Sequence, residues 1–275
     1  MRLPVRVATS LRAKYSPSRY SGLYTVARLA EHGAHVYLGA RSASKGAAAA
    51  SSIKALDPEA HITVLEMDHL SLASVTAAAR LFLSRETALH GLVNNAGIMA
   101  TPFEMTRDGY EAQWQTNYLA HWVFTSHLLP LLRQTSAALP PGSVRVVNLS
   151  SSGHHQAPKG GIHFADTSLP KRDGMARYGQ SKLANVLHAK TLHRLYGPDS
   201  PSAVAGNGEI WVATVHPGLV DSRLSDRAEI ARPMRMITSL YGAMGGKVNA
   251  DKGSWTSLFC VAGRNMTREQ SGTCK

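Results

Sequence analysis

Short apolar runs rich in β-branched residues alternate along the chain with longer segments of helical periodicity. This alternation is typical of βαβ units, so it predicts an α/β fold built on one parallel sheet. The predicted strands cover residues 5–9, 35–38, 62–66, 91–95, 144–149 and 210–215. The predicted helices cover residues 22–32, 44–56, 72–83, 110–132 and 178–195, followed by a mostly helical tail over 233–262. No repeat or linker interrupts the pattern, which predicts one domain over residues 1–275.

The composition excludes several classes of protein. Of the 275 residues 44% are hydrophobic, which is enough for a buried core and too many for a disordered chain. No apolar run reaches the ~20 residues that cross a bilayer, so we expect no transmembrane segment. The two cysteines, Cys260 and Cys274, are too few for a disulfide scaffold or a zinc finger. We expect a cytoplasmic protein, with a mitochondrial location as the alternative because residues 1–30 are basic and lack acidic side chains.

The formal net charge of +12 points to an anionic ligand. The basic residues are scattered and do not alternate with aromatic ones, a pattern that disfavours nucleic acid and favours a small polyanion such as a phosphorylated cofactor. His154, His155 and His163 lie in a long Gly- and Pro-containing connection without a helix-spaced acidic or cysteine partner. We therefore predict no metal site.

One tyrosine of the chain has a lysine four positions later, in the segment Tyr178-Gly-Gln-Ser-Lys182. Residues i and i+4 share a face of a helix, so the phenol and the ammonium would project into the same space. A neighbouring cation stabilises a phenolate, which would lower the pKa of Tyr178 and let it exchange a proton near neutral pH. The spacing alone equally fits an exposed pair on a helix surface.

Polar side chains follow three of the predicted strands. The segment Asn94-Asn95-Ala96-Gly97 ends one, Asn148-Leu149-Ser150-Ser151 ends the next, and Pro217-Gly218 follows a third. In an open parallel sheet, ligands bind outside the carboxyl ends of the strands, so these segments predict one crevice. Taken singly, each also fits a turn or a helix N-cap.

With these motifs in this order, the chain resembles the short-chain dehydrogenase/reductase family over about residues 22–272, and within it the retinol-dehydrogenase-like and WW-domain-oxidoreductase-like members. The resemblance implies a single Rossmann-like domain, doubly wound, with helices on both faces of the sheet. It implies hydride transfer between a nicotinamide cofactor and an apolar alcohol or carbonyl compound. Tyr178 would be the proton donor and acceptor, Lys182 would lower its pKa, Ser151 would orient the substrate oxygen, and Asn117 would hold a water beside Lys182.

The resemblance also implies a set of cofactor contacts. Ala40, where the family often has an acidic residue, is followed by Arg41 and Ser42, which favours NADP(H) over NAD(H) because an arginine can pair with a 2′-phosphate. Asp68 would contact the adenine ring, although it equally fits a helix N-cap. The other implied contacts are Gly22, Asn95, Ala96, Gly97, Pro217, Gly218 and Ser222, together with Tyr178 and Lys182.

Two further features are implied for the substrate and the assembly. Met234, Met236, Ile237 and Leu240 resemble the family's substrate lid, and a packed helix is the alternative. The family also implies a homodimer.

Both ends of the chain depart from the family pattern. The glycine-rich phosphate loop is atypical over residues 1–22, because Ser16 and Tyr20 stand where the first and middle glycines are expected. A tyrosine side chain there would obstruct a pyrophosphate that has to touch bare backbone. The alternative reading is therefore a catalytically impaired Rossmann-like protein that acts through partner binding. The chain also stops at Lys275, where the family begins its last strand, which predicts that this strand is truncated.

Overall fold

A computed structural model describes residues 5–10, 21–220, 224, 228 and 248–275. Its centre is a six-stranded parallel sheet in the order β3-β2-β1-β4-β5-β6. The strands are β1 (Arg6–Ser10), β2 (His35–Ala40), β3 (Ile62–Glu66), β4 (Gly91–Asn94), β5 (Arg145–Leu149) and β6 (Trp211–Val215). The strand order reverses between β1 and β4, so the carboxyl ends of these two strands flank the crevice where such folds bind ligands.

Helices cover both faces of the sheet. They are α1 (Ser21–Glu31), α2 (Ala43–Lys54), α3 (Leu72–Leu83), α4 (Ala112–Trp114, Gln115–Leu119 and Ala120–Ala137 in succession), α5 (Gly174–Tyr196), the short α6 (Pro201–Val204) and α7 (Ala250–Ala262). Apolar residues of α1, α2 and α7 form one core on one face, and those of α3, α4 and α5 form a second core on the other. The predicted doubly wound fold is confirmed.

Residues 233–247 of the predicted helical tail lie outside the described residues. Within the described residues the predicted elements agree with the observed ones to within a few residues, with one instructive exception. The segment predicted as a continuous helix over 110–132 begins at Ala112 and extends to Ala137, and its second part, Gln115–Leu119, is π-helical. Glu111 caps the start, because its side chain accepts a hydrogen bond from the Trp114 N–H at 2.8 Å. A π-helical turn of this kind changes the direction in which the side chains of one turn point and often marks a functional site.

The end of the chain continues the sheet beyond β6. The Gly272 N–H donates to the Val212 carbonyl at 2.7 Å, and the Lys275 N–H donates to the Thr214 carbonyl at 2.8 Å. A parallel bridge joins Thr214 to Cys274. Residues 272–275 therefore pair where the family pattern expects its last strand.

Along the described part of the chain, none of the helices combines the length and the apolar character needed to cross a membrane.

Candidate active site

The two residues of the Tyr-Lys motif are buried, which excludes an exposed surface pair. Both lie on α5, whose N-cap Asp173 accepts a hydrogen bond from the Ala176 N–H at 2.7 Å. Tyr178 is 2% exposed and Lys182 is 4% exposed. The Lys182 Nζ lies 5.7 Å from the centre of the Tyr178 ring and donates a hydrogen bond to the Leu149 carbonyl, at the end of β5, at 3.0 Å. The motif therefore faces the carboxyl edge of the sheet.

The two serines that follow β5 have different partners. The Ser151 side chain lies beside the Tyr178 ring, because a Cβ on Gly153 would lie 3.3 Å from the Ser151 Oγ and 2.6 Å from the Tyr178 Cε1. The buried Ser150 hydroxyl instead donates to the Lys182 carbonyl at 2.9 Å. Ser151 is half-buried, so its hydroxyl reaches the crevice while Ser150 fastens β5 to α5. The geometry thus brings the second serine, rather than the first, to the phenol.

Burial dominates the electrostatics of this site. It raises the pKa of Tyr178 to about 12, against a smaller lowering by the Ser151 hydrogen bond. Burial also lowers the pKa of Lys182 to about 8. The expected lowering of the Tyr178 pKa by Lys182 is therefore not seen in the chain alone, and it stays a prediction for the site with its cofactor bound. The physical reason is that the ammonium lies over the ring and bonds to the Leu149 carbonyl while the phenol is shielded from water.

Asn117 lies on the π-helical turn and fastens the segment that follows β4. Its Oδ1 accepts from the Ile98 N–H at 2.8 Å, and its Nδ2 donates to the Ile98 carbonyl and the Ser181 Oγ, each at 2.9 Å. Both amide protons are thus committed to protein acceptors. The turn aims this side chain at the backbone of Ile98 and at α5. That Asn117 holds a water beside Lys182 stays a prediction.

Two glycines mark close approaches in this site. A Cβ added to Gly97 would lie 3.3 Å from both the Lys182 Nζ and the Asn117 Oδ1. A Cβ added to Gly153 would lie 2.6 Å from the Tyr178 Cε1, a distance that requires something to move. Gly97 was among the predicted residues, whereas Gly153 was missed, although it follows Ser151 by two positions.

The residues predicted to hold a cofactor lie along the same edge. Gly22 is buried in the first turn of α1, and the backbone N–H groups of Asn95 and Ala96 donate to the Ser10 Oγ at 3.1 and 3.3 Å. Gly218 has a φ of 78°, a conformation that favours glycine. Pro217 precedes it and is half-buried.

At the end of β2, Arg41 is half-buried and has no hydrogen-bond or ion-pair partner among the described residues. Ser42 is the N-cap of α2, where its Oγ accepts from the Lys45 N–H at 3.4 Å. The predicted contact of Ser42 with a cofactor therefore has to coexist with this capping role.

Asp68 is not a helix N-cap, because that position of α3 belongs to Ser71. The Asp68 carboxylate accepts from the Leu70 N–H at 3.1 Å. Its contact with an adenine ring stays a prediction. Ser222, the lid residues Met234, Met236, Ile237 and Leu240, and the loop residues Ser16 and Tyr20 lie outside the described residues.

A sequence profile of the short chain dehydrogenase family matches residues 21–232. The chain belongs to the short-chain dehydrogenase/reductase family. It is 50% identical to the short-chain dehydrogenase/reductase drtF of Aspergillus calidoustus over 253 residues, 91% of this chain and 79% of that protein. It is 36% identical to retinol dehydrogenase 11 of Mus musculus over 242 residues, 87% of this chain and 69% of that protein.

The structure of a Pseudomonas aeruginosa RhlG/NADP active-site complex superposes with a TM-score of 0.68 at 25% identity, covering 99% of this chain and 94% of that one. This short-chain dehydrogenase/reductase is therefore an NAD(P)-binding oxidoreductase with a Rossmann fold, of the retinol-dehydrogenase-like kind.

Sequence reasoning missed a buried ion pair that connects the helix of Tyr178 and Lys182 to α4 in this short-chain dehydrogenase. The Nε of Arg177, next to Tyr178, lies 3.4 Å from the Glu111 carboxylate, and both side chains are nearly inaccessible. Arg177 also donates to the Thr101 carbonyl at 3.0 Å and to the Arg172 carbonyl. The pair thus ties the start of α5 to the start of α4 and to the segment after β4. No sequence motif predicts this ion pair, because Glu111 and Arg177 are 66 positions apart.

Among the residues that the structure describes, no three His, Cys, Asp or Glu side chains are grouped as a metal site. His154 instead contacts the Ser151 carbonyl through its Nδ1 at 2.6 Å. The absence of a metal stays a prediction.

Proposed function

We propose that this chain is an NADP(H)-dependent oxidoreductase that interconverts an apolar alcohol and its aldehyde or ketone. The observation that carries the proposal is that the Ser151 hydroxyl and the buried ammonium of Lys182 both lie beside the ring of Tyr178. A proton donor, a hydroxyl that can polarise a carbonyl oxygen, and a buried cation are the groups that carbonyl reduction needs.

Each residue has a definite task in this proposal. The nicotinamide cofactor, when bound, supplies or accepts the hydride. Tyr178 donates its phenolic proton to the carbonyl oxygen in reduction, or accepts the hydroxyl proton in oxidation. Ser151 orients that oxygen by a hydrogen bond. Burial keeps the phenol protonated in the chain alone, so the proton that reduction requires is in place before substrate arrives.

The residues present fit a dinucleotide. Lys182 uses one of its three N–H groups on Leu149, and no carboxylate pairs with it in the parts of the chain described. A buried ammonium with unused donors is costly, so it favours a ligand rich in hydroxyl oxygens, such as a ribose. The glycine at position 97 keeps the space beside Lys182 clear. Asn95, Ala96 and Gly22 supply backbone and side-chain contacts along the same edge.

The preference for NADP(H) rests on Arg41. A guanidinium directly after β2 that has no partner among the described residues, with Ala40 where an acidic residue would repel a phosphate, suits a 2′-phosphate. Arg41→Ala should weaken NADPH binding about tenfold, the effect of losing one charge-assisted hydrogen bond, and leave NADH binding unchanged. Arg80→Ala, an exposed arginine on α3, is the control. Equal weakening of both dinucleotides would refute the preference.

A thermal-denaturation titration tests the function itself. At a concentration of 100 Kd, a dinucleotide that binds only the folded state adds about 2.7 kcal/mol to the free energy of unfolding. We expect a shift with NADPH, followed by NADPH oxidation when apolar aldehydes and ketones are added. No shift with millimolar NADPH or NADH would instead favour a partner-binding protein with an impaired phosphate loop.

The substrate class and the assembly are proposed on the family alone. A relative named retinol dehydrogenase supports an apolar substrate, and apolar aldehydes are therefore the first compounds to assay. A homodimer is expected, and light scattering of the purified chain measures it.

A further inference from the structure

A fully buried histidine joins two segments of the site that sequence reasoning left unconnected. His121, on α4, has its Nδ1 2.9 Å from the Asn117 carbonyl and its Nε2 3.0 Å from the Ser10 Oγ. Ser10 is the last residue of β1, and its Oγ accepts from the N–H groups of Asn95 and Ala96. His121 thus stands between the π-helical turn and the strand ends of β1 and β4.

The partners of His121 determine where its proton lies. A backbone carbonyl can only accept, so the contact with Asn117 requires a proton on Nδ1. The Ser10 Oγ already accepts from two N–H groups, so its own hydroxyl proton is the one that remains to be shared with His121. The Nε2 must therefore be an acceptor without a proton.

The surroundings keep the ring neutral. Complete burial holds the pKa of His121 well below its usual value. The His69 ring, 5.0 Å away, and the Lys182 ammonium lower it further. The Nε2 lone pair thus stays available to the Ser10 hydroxyl across the working pH range.

We infer that His121, locked in its Nδ1–H tautomer, is a positioning residue that sets the Asn95–Gly97 segment against Asn117 through Ser10. The inference rests on the proposed function, because Asn95, Ala96 and Gly97 matter for turnover as part of the dinucleotide site. Through this link, loss of the Nε2 acceptor displaces the Asn95–Gly97 segment. Loss of the Nδ1 donor affects only the helix itself, because Asn185 also donates to the Asn117 carbonyl at 2.9 Å.

Nitrogen-15 NMR of the histidine side chains tests the tautomer without any assay of activity. The signals of His121 are those that the wild-type spectrum contains and the spectrum of His121→Gln lacks. We expect these signals to come from a neutral ring that is protonated on Nδ1 and unprotonated on Nε2. If they come instead from a ring protonated on Nε2, or on both nitrogens, the inference is overturned even if no variant is active.

Two substitutions separate the two ring nitrogens. Gln at position 121 can place an oxygen near the former Nε2 and still accept from Ser10, whereas Asn reaches only the former Nδ1. We expect His121→Gln to keep the KM for NADPH within about twofold, and His121→Asn to raise it about fivefold, the effect of one lost hydrogen bond. Ser10→Ala should raise it by the same factor, and combining it with His121→Asn should add little.

The matched control is His35→Gln, a buried histidine at the opposite edge of the sheet whose Nε2 contacts the Thr63 Oγ1 at 2.8 Å. It should lower stability with no change in KM. If His121→Asn and His121→Gln instead lower stability equally and leave KM unchanged, His121 is only a structural residue. A wild-type chain that binds neither dinucleotide overturns the proposed function, and that result differs from normal binding with unresponsive variants, which overturns the inference alone.

Discussion

Both edges of the parallel sheet carry buried ionisable side chains, and the two edges differ in how the charges are balanced. At the amino edge, the Glu86 carboxylate contacts the Arg6 Nε, the His35 Nδ1 at 3.2 Å and the Tyr37 hydroxyl at 2.9 Å. Burial lowers the pKa of His35 and raises that of Tyr37 to about 12, so both of these groups are neutral near pH 7. The positive charge of Arg6 therefore balances the negative charge of Glu86. Each of these groups has its partner within the protein.

At the carboxyl edge, Tyr178 and Lys182 are buried to a similar degree, and no carboxylate of the described residues pairs with them. Within that part of the chain the Lys182 ammonium has the Leu149 carbonyl as its partner, and burial accounts for the lowering of its pKa to about 8. A balanced cluster stabilises the fold and needs no ligand. An unbalanced one costs stability, which is a common signature of a site that a ligand completes.

The largest expected effect is on turnover at the carboxyl edge. Tyr178→Phe should lower kcat by about 10²- to 10⁴-fold, the usual contribution of a general acid, while the Kd for NADPH stays within a few-fold. Stopped-flow or steady-state NADPH oxidation measures the first quantity, and thermal titration measures the second.

Tyr37→Phe is the matched control at the amino edge, because it also removes a buried phenolic hydroxyl. It should lower the free energy of unfolding by about 1–2 kcal/mol through the lost bond to Glu86 and leave kcat unchanged. A loss of NADPH affinity in Tyr178→Phe as large as the loss of kcat would contradict the catalytic assignment.

The two edges also differ in how well the sequence predicts them. Tyr178 and Lys182 are four residues apart on one helix, and Ser151 is the second residue after a strand, so helix periodicity, strand ends and the family resemblance together predict one crevice. The amino-edge cluster comes from positions 6, 35, 37 and 86, which no spacing rule relates. Only the register of the sheet, in which Arg6 pairs with His35, brings them together.

The features that the sequence did not predict have local physical causes. The partners of Asn117 depend on a π-helical turn that hydrophobic periodicity does not reveal. The pKa of Tyr178 depends on burial, and burial follows from tertiary packing rather than from the spacing of Tyr178 and Lys182. Residue types and strand ends are thus predictable, whereas hydrogen-bond directions and solvation require the folded chain.

Removal of the Glu86 carboxylate should leave the positive charge of Arg6 at the amino edge without its partner. Glu86→Ala should lower the free energy of unfolding by about 3 kcal/mol, at the lower end for a broken buried ion pair because the Arg6 side chain is partly exposed. Glu86→Gln, which keeps an acceptor for the Tyr37 hydroxyl, should lose about half as much. Urea denaturation at pH 7 measures both, and kcat per folded molecule should not change. A fall in kcat would mean that the two edges are coupled.

The smallest expected change in the free energy of unfolding is an increase. Lys182→Met should abolish turnover but raise the free energy of unfolding of the ligand-free chain at pH 7. Lowering the pKa of Lys182 from 10.5 to about 8 destabilises the folded wild-type chain by about 3 kcal/mol, and the variant removes this cost. The variant also loses the hydrogen bond to Leu149, worth about 1 kcal/mol, so we expect a net stabilisation of about 2 kcal/mol. Lys190→Met, an exposed lysine on the same helix, should change little.

The pH dependence of this gain separates desolvation from better packing by methionine. Between pH 8 and pH 10.5 the unfolded wild-type chain binds more protons at Lys182 than the folded chain does, so its free energy of unfolding rises with pH in this window. The advantage of Lys182→Met should therefore shrink through the window and be gone by about pH 10. Tyr178 titrates above the window and is common to both chains. A gain that is independent of pH would mean that packing stabilises the variant, and the carboxyl edge would then carry no electrostatic cost that a dinucleotide could relieve.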